Sequence, residues 1–354
     1  MEDNFLVVVP AFAEMTIVGT ACAPQLGTRS FAPMTLRAYL RFDMRAPAFG
    51  TPGPELYRAA IEMAEYADRN GFYGVMLSEH HASDDNYLPS PVTMMAAIAG
   101  RTERLKLAFR ALIAPLYDPI RLAEDLAVLD QISNGRVVAA LAAGFISAEF
   151  QMFGREIKQR ARLTEEAVRA LKAAWTGEPF AFRGRTARVT PRPVQRPHPP
   201  VLLGGSSRAA AERAARIADG FQTHVAELYQ VYFDSAKALG KNPAPFAKVS
   251  PSFVLVAEDP EMAWNAIAPH ALHEMNAYGR WHQAAGYEGG YKMVDSIEAL
   301  KATGAYAVVT PDECVRLARS VDEIIFHPLM GGMSPQLGMR SLELFVNKVR
   351  PALA

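Results

Sequence analysis

Beyond Met34 the chain alternates between short β-rich apolar runs and longer stretches whose apolar positions recur every three or four residues. That is the pattern of βα units around a parallel sheet. LRAYLRFD, from Leu36 to Asp43, reads as the first strand, and Pro54 to Asn70 as an amphipathic helix stopped by Gly71. FYGVMLS is a second strand, Pro91 to Arg101 a helix, and LKLAFRALIA a third strand. In DPIRLAEDLAVLDQI, Asp118 is an N-cap, Pro119 opens the first turn, and Leu122, Leu126 and Leu129 give one apolar face.

RVVAALAAG supplies a fourth strand, followed after a loop by a helix from Arg162 to Trp175. Gly177 to Pro200 carries six prolines and the alternating RTARV, so a small β excursion is expected there. PVLLGG is a fifth strand, Arg208 to Ala218 a helix, and GFQTH, VSPSFVLVAE and DEIIFHPL are strands six to eight. A last helix starts at Ser334 and Pro335 and runs to Val349. Eight strand and helix pairs with insertions predict a (β/α)8 barrel, an α/β fold that spans about 200 to 400 residues as one domain. The expected division is a loose extension, or an overlong start, at 1–33 and one barrel domain at 34–354, with insertions near 177–200 and 259–322.

Composition narrows the function classes. The 354 residues are half hydrophobic, and 37 basic side chains balance 37 acidic ones. No run of five like charges occurs, so neither nucleic acid nor an anionic membrane is an expected partner. Cys22 and Cys314 are the only cysteines and form no disulfide framework, which points to a reducing, cytoplasmic setting. The segment from Phe5 to Cys22 is too interrupted for a membrane span, and no targeting peptide is read in it.

The candidate chemistry begins at VMLSEHHASDD, where the apolar second strand ends in Glu79, His80 and His81. In a barrel the C-terminal strand ends build the active site, so these residues face that rim. Neighbouring strand residues point to opposite sides, which puts Glu79 and His81 together and His80 across from them. One imidazole is expected to face the pocket; the alternative is a set of rim residues satisfied by water or helix ends. A metal site would draw on His224 and His327, but no zinc-like spacing supports it and none is expected. No G-x-S-x-G elbow is present. The GGSS turn, Gly204 to Ser207, leads from strand five into a helix and suits a phosphate, or is simply a tight turn with an N-cap. MGGMSP, Met330 to Pro335, is a second phosphate candidate, and motif logic does not choose between them.

SEHH, DPIRLAEDLAVLDQISNGR, AAGFISAEFQMFG, RLTEEAVRALKAAWTGEPFAFRGR and PHPPVLLGGSSRAAAERAARIADGF occur in this order, before a closing helix. From about Leu36 to Ala352 the chain resembles the bacterial luciferase-like monooxygenases, whose barrel binds flavin. The resemblance implies that His80 is the catalytic imidazole near the reactive edge of the flavin. It also implies that Arg162 and the Gly205, Ser206, Ser207 turn bind the flavin phosphate, which favours GGSS over MGGMSP. Glu79 and the pair Arg110 and Ala111, where the family often has a non-prolyl cis peptide, complete the implied cofactor-binding set. Ala142 and Ala143 depart from luciferase itself, which has a cysteine and an arginine there, so light emission is not implied.

The implied activity is a monooxygenase that uses reduced FMN and O2 on a small organic substrate. A separate flavin reductase is the expected source of reduced FMN, since GGSSRAAA lacks the G-x-G-x-x-G spacing for a nicotinamide. Two alternatives stand beside it: hydride transfer with the deazaflavin coenzyme, and a non-catalytic flavin-binding partner subunit. Such chemistry requires water to be kept out. Asp259 to Asp322, with His270, His273, Trp281, His282, Tyr287 and Tyr291, is read as a lid or as a packed helical insertion, in which Thr310, Pro311 and Glu313 form a capping box. The family resemblance further implies a homodimer, for which the DLAVLDQI helix is the suggested interface. The substrate itself is not legible in one chain.

Overall fold

The computed structural model describes residues 36–245, 247–286 and 291–353. The expected extension at 1–33, Cys22 and Tyr287 lie outside them. Strand β1 (Arg37–Phe42) leads through α1 (Gly53–Arg69) to β2 (Gly74–Leu77), then α2 (Pro91–Ala99) to β3 (Lys106–Ile113), and α3 (Pro119–Ser133) to β4 (Val137–Ala142). After β4 come a short α4 (Ser147–Met152), α5 (Arg160–Ala174) and the hairpin β5 (Phe180–Phe182) and β6 (Arg185–Ala187). The barrel resumes with β7 (Val201–Gly204), α6 (Arg208–Ile217), β8 (Gly220–Gln222), α7 (Glu227–Ala238) and β9 (Phe253–Val256). An insertion of α8 (Pro260–Ala284), α9 (Ile297–Ala302), β10 (Tyr306–Val309) and α10 (Pro311–Ser320) precedes β11 (Glu323–Phe326) and α11 (Pro335–Leu344).

The main sheet is parallel throughout and runs β10-β9-β11-β1-β2-β3-β4-β7-β8. First and last barrel strands, β1 and β11, are therefore hydrogen-bonded neighbours, as winding eight staves demands, and the ends of the order lie at β8 and β10. Two features differ from the sequence reading. VSPSFVLVAE is not one continuous strand: Val249 bridges Glu323, Pro251 has no N–H to continue the ladder, and pairing resumes as β9. In addition YAVV forms β10, a ninth strand inside the expected lid, alongside β9.

Each barrel strand is buried on both sides, so its alternation separates two cores. Tyr39, Met76, Ala108, Val138, Ala140, Leu202 and Ile325 meet inside the barrel. Their neighbours, Leu40, Val75, Leu107, Ala139 and Leu203 among them, pack outward against the helices. Inside, Glu323 also lies 2.9 Å from Arg37 and 3.5 Å from Arg110. Burial pushes the Glu323 carboxyl up, although Arg110 and Arg37 pull the other way.

The expected helix signals do their work locally. Asp118 accepts hydrogen bonds from the N–H groups of Ile120 and Arg121, and Asn134 ends α3 in the left-handed region. The capping box at Thr310 and Glu313 forms on α10. The proline-rich excursion is the β5–β6 hairpin, turned by Arg183 and Gly184 at positive φ. Helix α8, capped by Asp259, buries Ile267 and Ala271 in a cluster with Phe253, Leu255 and Tyr306 of β9 and β10, and buries Glu274 and Tyr278 as well. No helix among the described residues is long and apolar enough to cross a membrane.

Gly338 of α11 packs directly on the chain before it: a Cβ there would lie 2.0 Å from the Pro328 carbonyl oxygen. Because backbone cannot yield as a side chain does, Gly338→Ala is expected to lower stability by about 1–3 kcal/mol, read from urea denaturation. An unchanged midpoint would contradict this packing.

Candidate active site

The alternation of β2 carries past its last paired residue. Ser78 and His80 continue the inward series of Met76, while Glu79 and His81 share the opposite side. His81 Nε2 lies 2.7 Å from Glu79 Oε1, and Glu79 Oε2 accepts the Ile113 N–H at 2.8 Å. Glu79 thus stitches the end of β2 to the end of β3. His80 takes a different partner: its Nδ1 lies 2.9 Å from Oε1 of Glu149, which also accepts the His81 backbone N–H at 2.9 Å. Glu149 is 1% exposed and rides on α4, whose Phe150 is anchored among Ile113 and Leu116. Sequence reasoning missed Glu149; its signal was a carboxylate in SAEF directly before a buried aromatic.

Around His80 stands an aromatic wall. Its ring centroid lies 4.4 Å from Trp281, 4.9 Å from Tyr87, 5.9 Å from Phe145 and 6.0 Å from Tyr278. The hydroxyls of Tyr87 and Tyr278 are 2.8 Å apart, and burial, with Asp43 nearby, pushes the Tyr87 phenol up to about 12. Behind the wall the Arg45 guanidinium sits 4.7 Å from the rings of Tyr87, Tyr278 and Trp281.

Arg45 is fully buried, and its charge is met by Asp43 and Asp85, the latter also 2.7 Å from His273 Nε2. Burial opposes ionisation of Asp85, yet His273 and Arg45 hold its carboxyl well below the usual range. His327 lies 3.4 Å from Asp43 and 3.5 Å from Glu274, and Arg41 is 3.5 Å from that same glutamate. Asp43, Glu274 and His327 have ligand atoms within 4.8 Å of one another, the spacing of a cation site. Arg45 and Arg41 already stand on those carboxylates and supply the positive charge a cation would. For His224, the other expected ligand, burial and then the nearby His282 draw the imidazole down.

The GGSS turn closes β7 and opens α6. Gly205 donates its N–H to the Gln222 carbonyl, and Ser207 caps the helix by accepting from Ala210 N–H. Among the described residues the Ser206 hydroxyl and the N–H groups of Ser206 to Ala209 have no hydrogen-bond partner. The buried Nε2 of Gln222, on the neighbouring strand end, is likewise unpartnered. Orphan donors gathered at a helix N-terminus fit the phosphate of FMN.

MGGMSP is filled instead: Gly331 accepts from His270, and a Cβ on Gly331 would meet the His270 carbonyl oxygen at 2.7 Å. Arg162 lies exposed at the start of α5, held by Gln159 at 2.7 Å and Glu166 at 3.5 Å. It borders a recess of about 290 Å³ with Arg155, Glu156 and Arg183, and no hydrogen bond or ion pair among the described residues joins it to Ser206 or Ser207. The Arg110–Ala111 peptide is cis, and the Arg110 side chain turns into the barrel toward Glu323 rather than to the mouth. Ala142 and Ala143 leave small side chains at the end of β4.

A parallel barrel with chemistry at its C-terminal mouth defines the class of protein. Within that class the chain belongs to the luciferase-like monooxygenase family, whose model matches residues 41–326. It is 31% identical over 220 residues to the FMNH(2)-dependent dimethylsulfone monooxygenase of Pseudomonas putida, covering 58% of this chain and 60% of that one. It is 26% identical to the oxygenase component of the flavin-dependent trigonelline monooxygenase of Acinetobacter baylyi, covering 85% and 91%. The solved monooxygenase RslO1 from Streptomyces bottropensis superposes with a TM-score of 0.74 at 26% identity, over 90% of this chain and all of that one.

The Asp85 carboxylate, depressed in the folded state, contributes stability that is present above its unfolded pKa of about 3.9 and is lost as pH falls through the lower folded value. Asp85→Asn strands part of the buried Arg45 charge and is expected to cost about 3 kcal/mol near pH 7. Urea denaturation should show the gap between the two proteins narrowing below about pH 4; a gap that stays constant would count against the pairing.

Proposed function

We propose that this protein is a monooxygenase that uses reduced FMN and O2 to oxygenate a small organic substrate, the reduced FMN coming from a separate flavin reductase. The observation that carries the reading is the imidazole of His80, buried at the barrel mouth, held through Nδ1 and with no hydrogen-bond partner on Nε2 among the described residues. Membership of the family and the flavin-dependent monooxygenase activities of the dimethylsulfone and trigonelline relatives support it. The latter relative is itself an oxygenase component, which supports supply by a partner.

When bound, reduced FMN supplies two electrons to O2, so that one oxygen atom enters the substrate and the other leaves as water. The Ser206 hydroxyl and the first N–H groups of α6 would hold its phosphate, an arrangement that favours an anion by dipole and by hydrogen bonds together. His80 Nε2 holds or accepts a proton beside the reacting centre. Trp281, Tyr87, Tyr278 and Phe145 keep water away from that imidazole, and Tyr87, with its raised pKa, stays a neutral hydroxyl.

The purified protein with NADH and FMN alone is expected to consume little oxygen, and addition of a flavin reductase to restore uptake. His80→Ala should then lower kcat by about 10²–10⁴. Equal uptake without the reductase would remove the two-component reading. A second reading, hydride transfer with a deazaflavin coenzyme, is favoured by a 30% match over 205 residues to the F420-dependent glucose-6-phosphate dehydrogenase of Nakamurella multipartita. Equilibrium dialysis decides between them: binding of the deazaflavin without binding of FMN selects the second.

For oligomeric state the reading is a homodimer through α3, which exposes Val128 and Ile132 one turn apart. Sedimentation should give a dimer for the native chain and a monomer for Ile132→Glu; a native monomer at micromolar concentration excludes this interface.

A further inference from the structure

We propose that Glu149 is a positioning residue that holds His80 as its Nδ1–H tautomer, leaving Nε2 as the proton-accepting atom of the site. The inference rests on the reading of His80 as the imidazole that serves the reaction, and it adds the residue that decides which of its nitrogens does so.

The geometry fixes the direction of the hydrogen bond. Oε1 of Glu149 already accepts the His81 backbone N–H at 2.9 Å, and the same oxygen lies 2.9 Å from His80 Nδ1. An ionised carboxylate only accepts, so the proton of a neutral His80 ring resides on Nδ1 and the lone pair on Nε2. No other described group competes for either nitrogen. Glu79 and His81 satisfy each other on the far side of the strand, and the groups packed on the ring are Tyr87, Phe145, Tyr278 and Trp281. The Tyr87 and Tyr278 hydroxyls face each other rather than the imidazole, and the Arg45 charge behind them is covered by Asp43 and Asp85.

A purely structural role explains Glu149 poorly. Its second oxygen, Oε2, is buried without a hydrogen-bond partner, and a buried carboxylate with an idle oxygen costs stability relative to a well-packed apolar side chain. What the charge provides is a permanent acceptor opposite Nδ1 and a counter-charge for the imidazolium formed when Nε2 takes a proton. With an apolar side chain at 149 the ring would lose the acceptor that selects its tautomer, and N–H would populate Nε2, turning the proton acceptor into a donor.

The test begins with the native protein. Nitrogen-15 spectra of histidine-labelled protein, with the His80 signals assigned by their loss in His80→Ala, are expected to show a protonated Nδ1 and a bare Nε2 in the neutral ring. The opposite tautomer in the native protein overturns the proposal without need of any variant. Glu149→Gln, which keeps an acceptor, should preserve the tautomer and most of the fold. Glu149→Leu should shift it toward Nε2–H and lower kcat by about 10² with KM for the substrate little changed. A native tautomer and native kcat in Glu149→Leu overturn the proposal alone. Full oxygenation by His80→Ala overturns the reading beneath it.

Discussion

Side chains on a strand alternate, and in a barrel both sides are buried, so register decides which groups meet at the mouth and which lie under the helices. Along β2 the inward series Met76, Ser78, His80 brings an imidazole to the interior side, and the outward series Val75, Leu77, Glu79, His81 brings a carboxylate and a second imidazole to the other. A slip of one residue would exchange these roles. Glu79 guards against it: with one oxygen on the Ile113 N–H of β3 and the other on His81, it ties the strand end in place. Which groups meet at the mouth therefore depends on a hydrogen bond between two strand ends.

The same logic explains how the mouth tolerates so much buried charge. Asp43, Asp85 and Glu274 face Arg41, Arg45 and His327, all buried or nearly so, and each group has an opposite partner within 3.6 Å. Isolated, any of them would be costly to bury, and removing one member leaves another uncompensated. These partners come from β1 and the loop after it, the loop after β2, α8 and the residue that follows β11, so the network joins the barrel to its insertion. The stack of Tyr87, Tyr278 and Trp281 on Arg45 joins that network to His80, on the other side of the wall.

Periodicity and punctuation made the barrel legible. Alternating apolar runs, Asp118 before Pro119, and the Thr310 capping box are local signals, and the local structure follows them. The GGSS turn and the opposed sides of Glu79 and His80 were readable for the same reason. What local patterns do not carry is convergence. Glu149, Arg45, Asp85, Glu274 and Gln222 are polar residues in unremarkable company along the chain, and only folding brings Glu149 to His80, Arg45 to Asp85, Glu274 to His327 and Gln222 to the GGSS turn. Pro251 was visible but its effect was not, because the break in VSPSFVLVAE matters only once β11 pairs with both of its parts and β10 adds to the far edge of the second.

The groups at the mouth come from two parts of the fold. Residues that hold the imidazole, Glu149 and the end of β2, belong to the barrel frame and its short α4, whereas the rings that cover it, Tyr278 and Trp281, belong to the α8 insertion. The two sets are separate in the chain: Glu149 follows β4, and Tyr278 and Trp281 follow β9. The α8 insertion therefore decides what stands over the imidazole. In this chain that is a wall of aromatic faces backed by two cations, Arg45, whose charge is met by Asp43 and Asp85, and Arg41, which donates to the Tyr278 hydroxyl at 3.1 Å and stands 3.5 Å from Glu274.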